Sequence, residues 1–504
     1  MIYHSSENDN FPYTLGMLPK RLFHCLLSAI LLSGCTLGPD FEKPAAPKVS
    51  SYTSGPVSLA SSSTRLAGGG TQVLVTGQDI PGQWWTLFNS KPLSDLIEHA
   101  LAANPNLKAA QAALTVAHET TLAQYGAYYP NVSAGFSAVR QKTSGQLQAT
   151  PNSGALNFNL YTPQVSVSYM PDVFGLNRRT VESLKAQEEQ VRFALIATNI
   201  TLSSNVVTAA IQEASLREQI AATREIIAIN TDMLKMLRNQ FAKGSISRLD
   251  VAAQESQLAQ LSATLPPLLG QLAQQRDLLA VLTGGFPSET LDQTFELSKL
   301  ELPKELPLSL PTQLVQQRPD VRQAEENLHA ASAQIGIAIA NRLPNLTLTA
   351  DAGSMALAAS QMFTNSAGFW ALAGSVTQPI FDGGTLMHRE RAARAAYIEA
   401  SEQYHSVVLT AFQNVADTLH ALEQDANTLN ADMAAKDAAS ATLELTKRQL
   451  QSGSANYLAV LSAEQAYQQA VINLVQARAS RFADTAALFQ ALGGGWWNKP
   501  PAAL

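Results

Sequence analysis

Asn104-Pro105-Asn106-Leu107 and Arg318-Pro319-Asp320-Val321 occupy the same place in two copies of one pattern. Counting on from each, Ala110, Leu114 and Ala117 match Ala324, Leu328 and Ala331, and Pro130-Asn131-Val132 matches Pro344-Asn345-Leu346. In both copies the two prolines stand 25 residues apart. Further on, Phe241-Ala242-Lys243-Gly244-Ser245 matches Leu450-Gln451-Ser452-Gly453-Ser454, and Leu249, Val251 and Glu255 match Leu458, Val460 and Glu464. The copies span residues 92–285 and 312–494. That period is far longer than a solenoid repeat of ~20–50 residues, so it reads as one ancient duplication.

Each copy prescribes the same order of elements. A helix comes first, expected over Leu93–Tyr128 and Thr312–Arg342, and stops before a proline that cannot continue it. The period then changes to two. Val132, Ala134, Phe136 and Ala138 alternate with small or polar residues, as do Val165, Val167 and Tyr169, then Leu346, Leu348 and Ala350, then Trp370, Leu372 and Val376. Strict alternation gives strands with one apolar and one polar face, which suits a membrane barrel with a wet lumen and equally a soluble hairpin lying on a core. The linkers Gln141–Leu160 and Gly353–Gly368, rich in Ser, Asn, Gly and Gln, are expected to be exposed loops.

After the strands each copy enters a very long helix, 177–242 and 385–451, with no proline inside. At 1.5 Å per residue each is about 100 Å long. Ile220, Ile227, Leu234 and Phe241 recur every seven residues, a coiled-coil spacing. Turns at Lys243-Gly244-Ser245 and Ser452-Gly453-Ser454 reverse the chain, and helices return over 250–283 and 455–491, the first expected to kink at Pro266-Pro267. Four membrane strands are too few to close a barrel, which begins at about eight, so the chain is expected to oligomerise.

The N-terminal stretch points to export. Lys20 and Arg21 precede the apolar run Leu22–Leu32. A basic region followed by so short an apolar run reads as a secretory signal rather than a membrane span. These basic residues follow Met17 closely, which is the expected initiator in place of Met1. The run ends in Leu32-Ser33-Gly34-Cys35, which resembles a bacterial lipobox and makes Cys35 the candidate lipidation site. Ordinary signal cleavage with an incidental Cys is the alternative. The only other cysteine, Cys25, lies inside the signal, so the mature chain holds no disulfide. Thr36, rather than Asp, follows the candidate anchor and favours the outer membrane.

Composition narrows the function classes. Charged residues make up 15% of the 504, against about 25% in typical proteins, and the net charge is −6. No basic surplus marks a nucleic-acid binder. No zinc-protease helix, P-loop or nucleophile elbow occurs, the eight histidines are scattered, and no cofactor or metal is expected. The chain reads as a non-enzyme.

With these features in place the sequence resembles the TolC family of outer-membrane efflux proteins, in the lipoprotein branch that serves RND pumps. The residues that carry the resemblance are Cys35-Thr-Leu-Gly38-Pro39-Asp40-Phe41-Glu-Lys-Pro44, Trp84-Trp85 with Phe88, Arg318 to Glu325, Pro379 to Gly384, and Ala491 to Trp496. They cover nearly the whole chain. The resemblance implies an α+β membrane protein of four strands and long helical hairpins per chain, a homotrimer closing a twelve-stranded barrel over a helical periplasmic tunnel. It also implies an outer-membrane location, a periplasmic adaptor and an inner-membrane RND transporter as partners, and a passive duct for small molecules. A duct for ABC-driven type I protein secretion and a non-conducting, lipid-anchored envelope spacer remain the alternatives.

Carried over from the family, the periplasmic gate falls on Leu458, with Ser462 and Ala459 where relatives place acidic residues; Asp250 is the carboxylate candidate, or else a helix-capping residue. The adaptor-contact tips fall on Lys243, Gly244, Ser245, Ser452, Gly453 and Ser454. The expected division is a signal peptide at 1–34, an extended segment at 35–91, the two copies, a linker at 286–311 and a tail at 495–504.

Overall fold

A computed structural model describes residues 36–55, 57, 68–144, 157–289 and 292–498. The signal segment, Cys35 and the last residues of the tail lie outside the described residues. In chain order the elements are β1 (Val73–Thr76), α1 (Lys91–Ala103), α2 (Pro105–Tyr125), β2 (Asn131–Lys142), β3 (Asn157–Tyr169), α3 (Leu176–Ala242) and α4 (Arg248–Leu282). The second copy follows as β4 (Glu305–Leu308), α5 (Pro311–Gln317), α6 (Pro319–Ala340), β5 (Asn345–Ser354), β6 (Gly368–Thr377), α7 (Thr385–Gln451) and α8 (Tyr457–Ala491). Short 3₁₀ turns punctuate them, one of which carries Trp84-Trp85.

Two expectations need correction. The first helix of each copy is two helices, broken at Asn104-Pro105 and Arg318-Pro319. Proline forces the residue before it out of the helical region, and Asn104 and Arg318 sit at ψ 124° and 122°. Asn104 then caps α2, its Oδ1 accepting from the amides of Asn106 and Leu107. Second, the strands run further than their alternation does. Pairing of β2 with β3 continues to Gln141↔Phe158 and Lys142↔Asn157, so both ends of the expected loop belong to the ladder. The segments before each copy also carry a short pair: β1 and β4 run parallel, Val73 opposite Glu305 and Thr76 opposite Leu308. At Pro266-Pro267 the helix α4 passes through both prolines without a break in its assignment.

The chain divides into two compact units. The first takes Met1–Phe41, Thr120–Lys185 and His329–Tyr397 and holds the four-stranded antiparallel sheet, in the order β2-β3-β5-β6. Register makes its two faces continuous. Val132, Val167, Ala350 and Leu372 form one row across the strands, and Ala134, Val165, Ala352 and Trp370 the next. Ser133, Ser166 and Asp351 form a row on the other face, where the Ser166 hydroxyl donates to Asp351 at 2.5 Å.

The second unit takes Glu42–Glu119, Ala186–Leu328 and Ile398–Leu504. Its core gathers Trp84, Trp85, Phe88, Leu93, Val206, Phe482 and Phe489. Trp84 stacks on Phe489 at 5.3 Å and so fastens the N-terminal segment to α8. Two buried ions serve backbone as well as partners. Glu213 accepts from Arg217, Arg276 and the Phe295 amide, and Arg481 donates to the carbonyls of Gly68 and Gly70.

Candidate functional site

Two regions have the geometry of function: the sheet of the first unit and the helix-turn-helix tips of the second. The sheet is inside out by soluble standards. Val132, Phe136, Trp370, Leu372 and Val376 are each more than 60% exposed. An apolar face of this extent on a β-sheet, opposite a Ser-, Thr- and Asp-bearing face, matches the lipid-out, water-in alternation of membrane barrels. Within the described chain β2 and β6 are the two edges, and neither has a second partner. An unpaired edge cannot persist in lipid, because no water is there to satisfy its amides and carbonyls.

The tips follow one backbone rule. At the end of α3, Gly244 adopts φ +72°, its amide bonds to Phe241 O, and Ser245 N bonds to Gln240 O. At the end of α7, Gly453 adopts φ +76°, with Gly453 N on Leu450 O and Ser454 N on Gln449 O. Both are Schellman closures, which need a residue that tolerates positive φ. Lys243, Gly244, Ser245, Ser452, Gly453 and Ser454 are all exposed.

The two tips then diverge. Asp250 closes a capping box with Ser247, taking the Ser247 amide at 3.0 Å and its hydroxyl at 2.7 Å, so its carboxylate serves the helix start. In the second tip Asn456 caps α8 alone, through the Ala459 amide. Leu458 is 54% exposed, and Ser462, one turn on, is exposed on the same side of α8. Leu249, the match of Leu458, is 73% exposed. Tyr457 is buried with Leu234, Leu237 and Val251, so the starts of α4 and α8 share one core with α3.

Sequence reasoning missed the buried acids. Glu464 is 5% exposed and neither carboxyl oxygen has a hydrogen-bond partner. Burial pushes its pKa up, against the pull of the Lys447 ammonium. Its match, Glu255, is paired instead: Arg238 donates at 3.0 Å and Arg248 at 3.3 Å, and Arg238 above all holds the carboxyl below its ordinary value. Farther along α7, Asp425 is pushed up to about 7 by burial and by the neighbouring Asp484 carboxyl on α8. The repeat alignment pairs Glu255 with Glu464, but two glutamates at matched positions carry no sign of which is paired and which is buried; Asp425 and Asp484 meet across a distance in sequence that no periodicity reports.

In the first unit Arg179, its side chain 3% exposed, holds the residues just after Cys35. Its guanidinium donates to Leu37 O, Gly38 O and Asp40, and to Glu182 on its own helix. Gly38, at φ +93°, lies so close to Gly336 that a Cβ would sit 2.5 Å from its Cα. Phe41 stacks on His329 at 4.3 Å. The strap Leu37–Phe41 therefore has a built seat among the helices of the sheet-bearing unit. Among the described residues no cluster of His, Cys, Asp and Glu could hold a metal.

Comparison with known proteins agrees with this geometry. Residues 96–285 and 310–494 match the family described as outer membrane efflux protein. The toluene efflux pump outer membrane protein TtgF of Pseudomonas putida is 30% identical over 95% of this chain and 98% of its own length. The antibiotic efflux pump outer membrane protein ArpC of the same species is 28% identical over 96% of this chain and 97% of its own. Among solved structures, the outer-membrane channel OprN superposes with a TM-score of 0.82 at 25% identity, over 92% of this chain and all of that one.

Proposed function

The chain belongs to the outer membrane efflux protein family and is a channel of the bacterial outer membrane that reaches into the periplasm; from that premise we propose how it works. Three copies join β6 of one to β2 of the next and close a twelve-stranded barrel, continued in the periplasm by a tunnel of paired helices. The observation that carries this reading is the four-stranded sheet with an apolar outer face and two open edges. The channel is a passive duct for small organic molecules, and the energy comes from an inner-membrane RND transporter through a periplasmic adaptor.

Cys35 carries the lipid anchor. The seat of Leu37 to Phe41 on Arg179 and His329 supports this, because it fixes the strap beside the helices that adjoin the sheet. The tips at Gly244 and Gly453 present two similar surfaces per chain to the adaptor, and Leu458 with Ser462 narrows the tunnel. Deleting the gene and measuring susceptibility to a panel of drugs and solvents tests the function. The reading predicts hypersensitivity restored by the intact gene, with adaptor and pump co-purifying. Unchanged susceptibility, or co-purification with an ABC exporter instead, contradicts it.

A further inference from the structure

The duplication builds one joint inside the chain and leaves the same joint half made at its two ends. Inside, β3 of the first copy pairs with β5 of the second, from Gln164↔Gly353 to Tyr169↔Leu348. The turn after β3, Met170 to Phe174, closes against Leu343-Pro344-Asn345, the residues that lead into β5. Together with Thr377 and Pro379 at the end of β6, they wall a cavity of about 260 Å³ in the first unit. Val173, Phe174, Leu343 and Pro344 are all half-buried there.

The corresponding residues beside the sheet's two edge strands, beyond Pro379 and before β2, are exposed. The turn after β6 carries Ile380 and Phe381, 90% and 92% exposed. The residues that lead into β2 include Tyr129, 72% exposed, and Pro130, also exposed. Large neighbouring apolar side chains this exposed mark a surface that is covered in the assembled protein. A second copy of this chain supplies the matching cover. In a head-to-tail ring the order first copy, second copy, next first copy repeats without interruption, so the joint between chains must reuse the geometry of the joint within one.

We infer that Ile380 and Phe381 of one protomer seat against Tyr129 and Pro130 of the next, closing a copy of the cavity that Phe174 and Leu343 wall within the chain. The inference rests on the ring-closed barrel proposed above. It names a locking contact beneath the strand edges, made by side chains rather than by the ladder, and it explains why the two open ends of the chain are both aromatic.

The test is cross-linking in the full chain, in native membranes. Cysteine replaces Phe381 in one variant, Tyr129 in a second and both in a third, and each is treated with a short bis-maleimide. The double variant should give covalent dimers and trimers on a denaturing gel, and neither single variant should. Separately, Phe381→Ser should lower the temperature at which the detergent-solubilised trimer dissociates, with Phe381→Leu restoring most of it. A trimer by mass that gives no cross-link, and whose Phe381→Ser form is as heat-resistant as the parent, overturns the joint and leaves the trimer standing; the two side chains then face lipid. A folded protein that is not a trimer removes both readings at once.

Discussion

The two copies share a backbone and have parted in chemistry. Their long helices, α3 and α7, are both 67 residues and end in the same glycine closure. Position for position, Glu213 in the first copy corresponds to Leu422 in the second, and both are buried. Glu255 in the first tip is held by two arginines, whereas Glu464 in the second is buried with no partner. Duplication has kept what the chain's covalent geometry dictates, the positive φ of glycine and the missing amide of proline. It has released what neighbours dictate, the pairing of charges. Side chains diverge where their neighbours do: Arg238 and Arg248 donate to Glu255, whereas no donor reaches Glu464.

Exchanging the buried pair breaks the comparison most strongly. Glu213→Leu puts the second copy's residue into the first and removes the carboxylate that Arg217, Arg276 and the Phe295 amide share, Arg276 keeping the Gln293 carbonyl. We expect a loss of about 3–5 kcal/mol, read as a fall in the thermal midpoint of the second unit. Arg217 and Arg276 are about a third exposed and will recover part of this in water. A midpoint unchanged within a degree would mean that the triad contributes nothing.

Leu458→Ser compared with Leu249→Ser sharpens the comparison next. If only the second tip lines the tunnel, the first substitution raises channel current and admits large drugs, and the second leaves both alone. Removing one apolar contact from each of three chains is worth about 1–3 kcal/mol per side chain, enough to shift a marginal closed state. Equal behaviour of the two variants would remove Leu458 from the gate.

The acids give smaller, pH-dependent effects. Because the Glu464 pKa is raised on folding, the native state holds its proton more tightly than the unfolded chain does. Stability is therefore full below the ordinary glutamate value and is lost as pH rises through the raised one. Glu464→Gln should raise the thermal midpoint at pH 8 and leave it unchanged at pH 4. Asp425, pushed up to about 7, follows the same sign. Asp425→Asn should stabilise by about 1–2 kcal/mol above pH 7 and flatten the slope between pH 4 and 7. Glu255→Gln should act oppositely and least. Its depressed pKa gives stability above the ordinary value, in an exposed pair that salt screens. Midpoints of the three variants at pH 4 and pH 8 check all of this together.

Much of the architecture was legible in the residues, and the reasons are local. Period-two stretches such as Val132 to Ala138 mark a strand face, and the tip glycines mark the reversals, because each effect acts within a few residues. The break at Pro105 is equally local, set by the proline on Asn104, while the apolar pattern runs on across it. The β1–β4 pair was not legible: four-residue strands carry no period, and one of them contains Pro307. Nor were the seat of Leu37 to Phe41 on Arg179 or the buried state of Glu464, since each depends on residues far away in sequence. Exposure decides what a carboxylate does, and exposure is a property of the fold.

The central claim is that one chain is a third of a closed barrel, and mass tests it most directly. The full chain, extracted in mild detergent and weighed by native mass spectrometry or light scattering, should appear as three copies, without a significant population of folded monomer. A monomer that keeps its strand content and remains soluble, with both sheet edges open, would contradict the account.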